Sequence, residues 1–170
     1  MNFKYFSLLT MLSLLNNSSH ALDSDKYQPI RIQADAAMVD ESEGTSIYKG
    51  NVIIHQGTLQ VTADEVEIYT AENEVIQIIA KAANEPNVLA HYEQQINEGK
   101  DMVRAEAQKI TYLVQEERLH LTGSAKLQQV GDIFTGALLF YDLGRGIVNL
   151  NSDGSSGRIN MTITPKKSSN

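Results

Sequence analysis

Few side chains in this sequence can do acid–base or metal chemistry, and their spacing does not suit either. Of the four histidines, His20 falls in a leader-like segment, which leaves His55, His91 and His120. None has a neighbour at ligand spacing: there is no H-x-x-x-H and no H-E-x-x-H. His120 lies between Leu119 and Leu121, and extended chain sends it to the face opposite theirs. Asp64, Glu65 and Glu67 suggest the carboxylate pair of a glycoside hydrolase, which needs one acid desolvated and the other ionised. Glu65 and Glu67 share a strand face opposite Val66 and Ile68, where both meet solvent, so the local pattern supplies no such asymmetry. There is no G-x-S-x-G elbow, no phosphate-cradling glycine loop opening a helix, and no cysteine to act as nucleophile or thiolate ligand. The expectation is no catalytic residue, no metal site and no cofactor.

The elements that would position any functional group begin with a leader. Lys4 precedes a largely apolar run over 6–15, and a polar stretch ends in Ser19-His20-Ala21, with small residues where a signal peptidase requires them. A run of about ten residues is too short for a spanning helix, which takes about twenty. Residues 1–21 are therefore expected to be a cleaved secretory signal, 22–165 a single domain and 166–170 a disordered tail. Without disulfides, an exported domain must be held by burial and strand pairing. The net charge of −7 disfavours nucleic acid, whose binding rests on neutralising phosphate. The same sign opposes phosphorylated lipid head groups, so any lipid affinity has to come from apolar burial.

From Ile30 onward the dominant signal has period two. Ile30, Ile32 and Ala34 alternate with Arg31 and Gln33, and 110–114 and 119–122 do likewise. Further strands are predicted at 51–55, 58–62, 65–69, 75–80, 126–129, 134–141, 146–150 and 158–164, with loops at 72–74, 82–87, 93–101 and 153–157. One order of elements occurs twice. Ala34-Asp35-Ala36, Tyr48-Lys49-Gly50-Asn51-Val52, Gln56-Gly57 and Thr62-Ala63-Asp64 are matched by Ala105-Glu106-Ala107, Leu121-Thr122-Gly123-Ser124-Ala125, Gln129-Val130-Gly131 and Thr135-Gly136-Ala137. Such self-similarity implies stacked equivalent hairpins, and Gly50, Gly57, Gly123 and Gly131 are expected at turns with φ above zero. The class is all-β: a sandwich, barrel or jelly roll. Periodicity alone describes the inside of a closed sandwich. An interior of Ile, Val, Leu and Ala, with little Phe and no Trp, also leaves room for acyl chains.

At the paired Ala-Asp/Glu-Ala and Gly-Asn/Ser-Val/Ala blocks the sequence resembles the OstA-like family of periplasmic lipopolysaccharide-transport proteins. The likeness runs from Gln28 to Pro165 and includes Gln28-Pro29-Ile30, Leu127-Gln128-Gln129 and Gly157-Arg158. It implies a twisted, open β-jelly roll whose two sheets part into a V around a hydrophobic interior that shields the lipid A part of lipopolysaccharide. It implies head-to-tail self-association in the periplasm. The N-terminal edge would meet an inner-membrane anchored component, and the C-terminal edge the outer-membrane lipopolysaccharide translocon. Energy would come from an inner-membrane ATP-binding cassette transporter. The anchored relative needs a spanning helix and the translocon domain continues into barrel strands, so the expectation is the bridging carrier, not an enzyme. Matching the family's groove positions to inward parity selects Ile30, Ile32, Leu89, Tyr112 and Val114 for lipid contact, with Arg31 and Arg158 at a rim or on plain surface. The other readings of the sequence are a periplasmic envelope hydrolase and an inert structural β-protein.

Overall fold

A computed structural model describes residues 25, 27–85, 87–98, 101–151 and 158–165. The expected leader (1–21), the loop at 153–157, Pro86 and the tail (166–170) lie outside them. The described residues form twelve antiparallel strands: β1 (Arg31–Gln33), β2 (Ala36–Asp40), β3 (Thr45–Gln56), β4 (Leu59–Ala71), β5 (Glu74–Lys81), β6 (Ala90–Gln95), β7 (Met102–Ala107), β8 (Lys109–Leu113), β9 (Arg118–Gln129), β10 (Asp132–Asp142), β11 (Ile147–Asn151) and β12 (Asn160–Thr162). This is the expected all-β jelly roll.

Four long strands, β3, β4, β9 and β10, bend midway and serve two leaves at once. In leaf I, β1 pairs with the end of β3, the start of β4 with β6, β6 with β7, β7 with the end of β9, and the start of β10 with β12. In leaf II, β2 pairs with the start of β3, the end of β4 with β5, β5 with β8, β8 with the start of β9, and the end of β10 with β11. The second half of the chain repeats the first: β7 to β12 make the same pairings as β1 to β6. The internal repeat therefore covers six strands per copy.

The bends have a residue-level cause that corrects one expectation. Gly57 and Gly131 occupy hairpin turns, but Gly50 and Gly123 lie inside β3 and β9. The ladder steps from Lys49↔Glu65 to Val52↔Ala63, and again from Thr122↔Leu138 to Ala125↔Gly136, so two residues face one in both places. Both residues of each bulge are left-handed: Gly50 (φ 75) with Asn51 (φ 48), and Gly123 (φ 78) with Ser124 (φ 50). A bulge bends its strand and sharpens the twist, which is how one strand passes between leaves. The chain opposite breaks at the same level. The Asp35 amide, between β1 and β2, donates to the Lys49 and Gly50 carbonyls at 3.1 and 3.0 Å, and the Gln108 amide, between β7 and β8, donates to the Gly123 carbonyl at 2.8 Å.

Three further differences follow from pairing that a single strand does not advertise. The segments 58–62 and 65–69 form one strand, β4, and 119–122 joins 126–129 in β9. The expected loop at 93–101 begins as strand, because β6 runs through Glu93 to Gln95. There Ala90, Tyr92 and Gln94 point inward, while on the outer face Glu93 finds Arg104 at 3.0 Å on β7. A charged strand edge is tolerable when its neighbour supplies the counter-charges. The strand at β2 was also not foreseen, since Ala36–Asp40 is exposed throughout and its alternation has nothing apolar to show.

A candidate ligand groove between the leaves

The ladders align inward side chains into rows that cross the whole molecule. In leaf II one row runs Val39, Ser46, Ile68, Ile78, Tyr112, Leu119, Tyr141, Val148, strand by strand. A parallel row runs from Ala37 and Tyr48 through Val66, Ala80, Ile110, Leu121 and Leu139 to Leu150. In leaf I the facing row is Ile32, Ile54, Val61, Tyr92, Ala105, Leu127, Phe134, Met161. The two leaves touch in the middle, where the Tyr92 and Tyr112 rings meet edge to face with centroids 5.4 Å apart. Mid-row residues such as Ile54, Leu119 and Leu121 are wholly buried, but the row ends are open: Val39 is 57% exposed and Met161 55%.

Along one long side the leaves stand apart. A 590 Å³ pocket is lined from leaf I by Ile30 and Gln56 and from leaf II by Val75, Val114 and Gln115, with Tyr27 across it. Asp25 seats this N-terminal stretch. Its carboxylate is buried, accepts from the Thr58 hydroxyl at 2.5 Å and lies 3.4 Å from the Gln94 amide nitrogen. Gln94 in turn accepts from the Tyr92 hydroxyl at 2.5 Å. Burial, then the neighbouring Tyr112 phenol, holds the Tyr92 phenol well above its usual range, and burial pushes Tyr112 up to about 12. Both stay neutral in a polar thread that leads from the mouth into the apolar interior.

Of the residues expected to contact lipid, four gather here. Ile30 and Val114 line the mouth pocket on opposite leaves. Ile32 lies one inward position further along leaf I, against Ile54, and Tyr112 one further along leaf II. Leu89 stands apart, in a separate 390 Å³ hollow beside the bulge at Asn51, with Val52, Ala63 and Asp64. Arg31 is exposed on the outer side of β1, opposite His55, and Arg158 is exposed before β12. Sequence reasoning missed Tyr92, Gln94, Tyr141 and Asp25. The alternation of Ala90, Tyr92 and Gln94 carries a signal for the first two, but the charges around it hide it.

The outer faces hold the groups first weighed for chemistry. Glu65 takes Lys49 at 2.8 Å and Lys81 at 2.9 Å, and Lys81 also pairs with Glu67. These lysines hold both carboxyls below the usual glutamate range, and the hydrogen bonds to Glu67 and then Glu65 lift Lys81 to about 12. The two acids are thus shifted the same way, opposite to the split that paired-carboxylate hydrolysis needs. His91 lies 3.9 Å from Glu93 and 3.8 Å from Glu106, a polar cluster on the outer face. Among the described residues no group of three or more His, Cys, Asp or Glu is placed to hold a metal.

His120 faces away from Leu119 and Leu121, as alternation requires, and meets the Phe140 ring at 4.7 Å. Burial there lowers its pKa from the ordinary imidazole value. The folded state therefore binds the proton less readily than the unfolded chain. The neutral ring's contribution is whole above pH ~6.5 and fades as pH falls through and below that value. Urea unfolding between about pH 7.5 and about pH 5.5 should cost the wild type more stability than His120→Phe. Equal losses would mean His120 is not the group responsible.

Comparison with known proteins places this arrangement. Residues 31–147 match the model of the family described as LptA/(LptD N-terminal domain) LPS transport protein. The chain is 36% identical over 153 residues to the lipopolysaccharide export system protein LptH of Pseudomonas aeruginosa, covering 86% of this chain and 85% of that one. It is 30% identical over 165 residues to the lipopolysaccharide export system protein LptA of Haemophilus influenzae, covering 96% and 92%. The crystal structure of the Pseudomonas aeruginosa LptH, a periplasmic component of the lipopolysaccharide transport device, superposes with a TM-score of 0.73 at 34% identity, covering 84% of this chain and 99% of that one. Among the described residues no helix is long and apolar enough to cross a membrane. With its sequence matched across the repeat and its strands superposed on LptH, the chain belongs to the LptA/(LptD N-terminal domain) LPS transport protein family.

Proposed function

We propose that this chain is a periplasmic carrier, not an enzyme, that takes the lipid A acyl chains of lipopolysaccharide between its leaves and passes them along a head-to-tail bridge from the inner to the outer membrane. The carrying observation is the largely apolar inner face, which runs from one free sheet edge to the other. Among the described residues β1 and β2 pair only with β3, and β11 and β12 only with β10. Burial on those walls contributes roughly 25 cal/mol per Å² of apolar surface, enough to hold acyl chains while sugars and phosphates stay in water.

Self-association is supported by the repeat. Inside the chain, β5 and β6 of the first unit join β8 and β7 of the second. The counterparts of β5 and β6 are β11 and β12, and the counterparts of β8 and β7 are β2 and β1. A second copy can therefore dock by the seam that already joins the two halves, a strand-addition contact that extends without closing. By the same geometry the β1/β2 edge accepts an inner-membrane anchored component and the β11/β12 edge an outer-membrane translocon.

A photocrosslinking residue at Tyr112, inward on β8, tests the reading in cells. Irradiation should give an adduct that reacts as lipopolysaccharide, with none from a control at the outward Thr111. A folded, exported protein without adduct would refute lipid carriage. Ile32→Asp should weaken lipid binding well beyond Arg31→Asp, because it sets a charge on an apolar wall. Equal effects in a binding titration would reverse the inward assignment of β1.

A further inference from the structure

The interior holds one polar atom that nothing serves. The Tyr141 hydroxyl is buried and lacks a hydrogen-bond partner among the described residues. Its side chain lies on the inner row of leaf II, between Leu119 on β9 and Val148 on β11, with Leu139 on its own strand and Leu143 just beyond the strand's end both buried. Nearly every buried polar group in a folded protein has a partner, so an exception calls for a reason. Packing does not provide one. Phenylalanine would fill the same space, keep the ring against the same leucines and leave no oxygen to satisfy. The other two buried phenols differ from it: Tyr92 is committed to Gln94, and Tyr112 sits against Tyr92. Among the buried tyrosines of the described residues, Tyr141 alone keeps both a donor and an acceptor free, with aliphatic side chains on either side of it along its row. Burial raises its pKa to about 12, so it remains a neutral hydroxyl at any physiological pH.

Resting on the carrier reading above, we infer that Tyr141 is a specificity residue that hydrogen-bonds a hydroxyl borne by an acyl chain when the leaves part to admit it. A chain of methylenes alone leaves the phenol as unpaired in the loaded state as in the empty one. A hydroxylated chain gives it a partner that both donates and accepts. A site that offers a buried polar group discriminates most against the analogue lacking the matching group, because that analogue strands it. The position suits the role: Tyr141 is one strand in from the β11 edge, on the row that any chain following the groove must pass.

The test compares β-hydroxymyristate with myristate, both titrated against a fluorescent fatty acid bound to the whole mature chain. The two probes share a carboxylate and a length, so their difference isolates the hydroxyl. Wild type should prefer the hydroxylated probe by about tenfold. Tyr141→Phe should bind myristate as before and lose that preference, while unfolding at a denaturant concentration no lower than wild type. Tyr92→Phe, which removes a hydroxyl already paired, should lower stability and keep the preference. Equal affinities in wild type, or a preference that survives Tyr141→Phe, would overturn the inference and leave the carrier reading standing. Binding of neither probe by wild type would overturn both.

Discussion

Gly123→Ala should lower the free energy of unfolding by about 1–3 kcal/mol, and shortening Gln108 in the same chain should return the smaller part of the loss. Two costs add at this position. An L-residue held at φ 78 leaves its preferred region, worth about 1–2 kcal/mol. The new Cβ also overlaps the Gln108 side-chain amide oxygen and comes within 2.9 Å of its Cδ; that side chain is exposed and its far end can turn aside, so this contact adds less than ~1 kcal/mol. Gln108→Ala removes both atoms but leaves the backbone cost, so denaturant unfolding of the double variant should fall between wild type and Gly123→Ala. Full additivity of the two changes would show that the contact is not what excludes a side chain. Gly50 stands in the same relation to Asp35, whose Oδ2 also accepts from the Asn51 amide at 2.9 Å.

Leu121→Ala should cost about 2–5 kcal/mol of stability, whereas Met161→Ala should cost the isolated chain well under ~1 kcal/mol yet weaken its self-association. Both side chains face inward, and they differ in what covers them. Leu121 lies mid-row between Ile110 and Leu139 with none of its surface exposed, so truncation leaves a cavity. Met161 sits on β12, more than half exposed, and Ile159 and Ile163 beside it are 43% and 61% exposed. Apolar surface left open at the end of a row is covered only when another chain continues the row. Chemical denaturation and sedimentation equilibrium of the two variants separate the roles. A Met161→Ala chain that assembles like wild type would place the docking surface elsewhere.

Much of this architecture was legible in the residues. Alternation marked nine of the twelve strands at least in part, missing β2, β6 and β7, and the paired glycine blocks marked the duplication. What they concealed was where strands bend. A glycine before Asn51 or Ser124 looks like a turn locally, and only the partner strand, which supplies one residue against two, shows that the chain runs on. The site was half legible for a similar reason. The inward placing of Ile30, Ile32, Tyr112 and Val114 follows from parity, which is local, while their choice as lipid contacts rests on the family resemblance. Tyr92 and Gln94 lie on a strand whose outward charges suit it to solvent until Arg104 is placed beside Glu93. Asp25 could not be foreseen, because its partners Thr58 and Gln94 are far along the chain.

The inner rows also fix how a bound chain can move. Their aliphatic side chains recur at the strand spacing of about 4.8 Å, and they offer almost no polar bond that must break before the next is made. Displaced sideways by one strand, an acyl chain meets nearly the wall it has just left. The energy surface along the groove is therefore shallowly corrugated, and travel along it is sliding with little friction, without preferred direction, interrupted only at the few hydroxyls of the rows, those of Ser46, Tyr48, Tyr92, Tyr112 and Tyr141. Direction has to be imposed from outside, by crowding at the end where cargo enters and depletion at the end where it leaves.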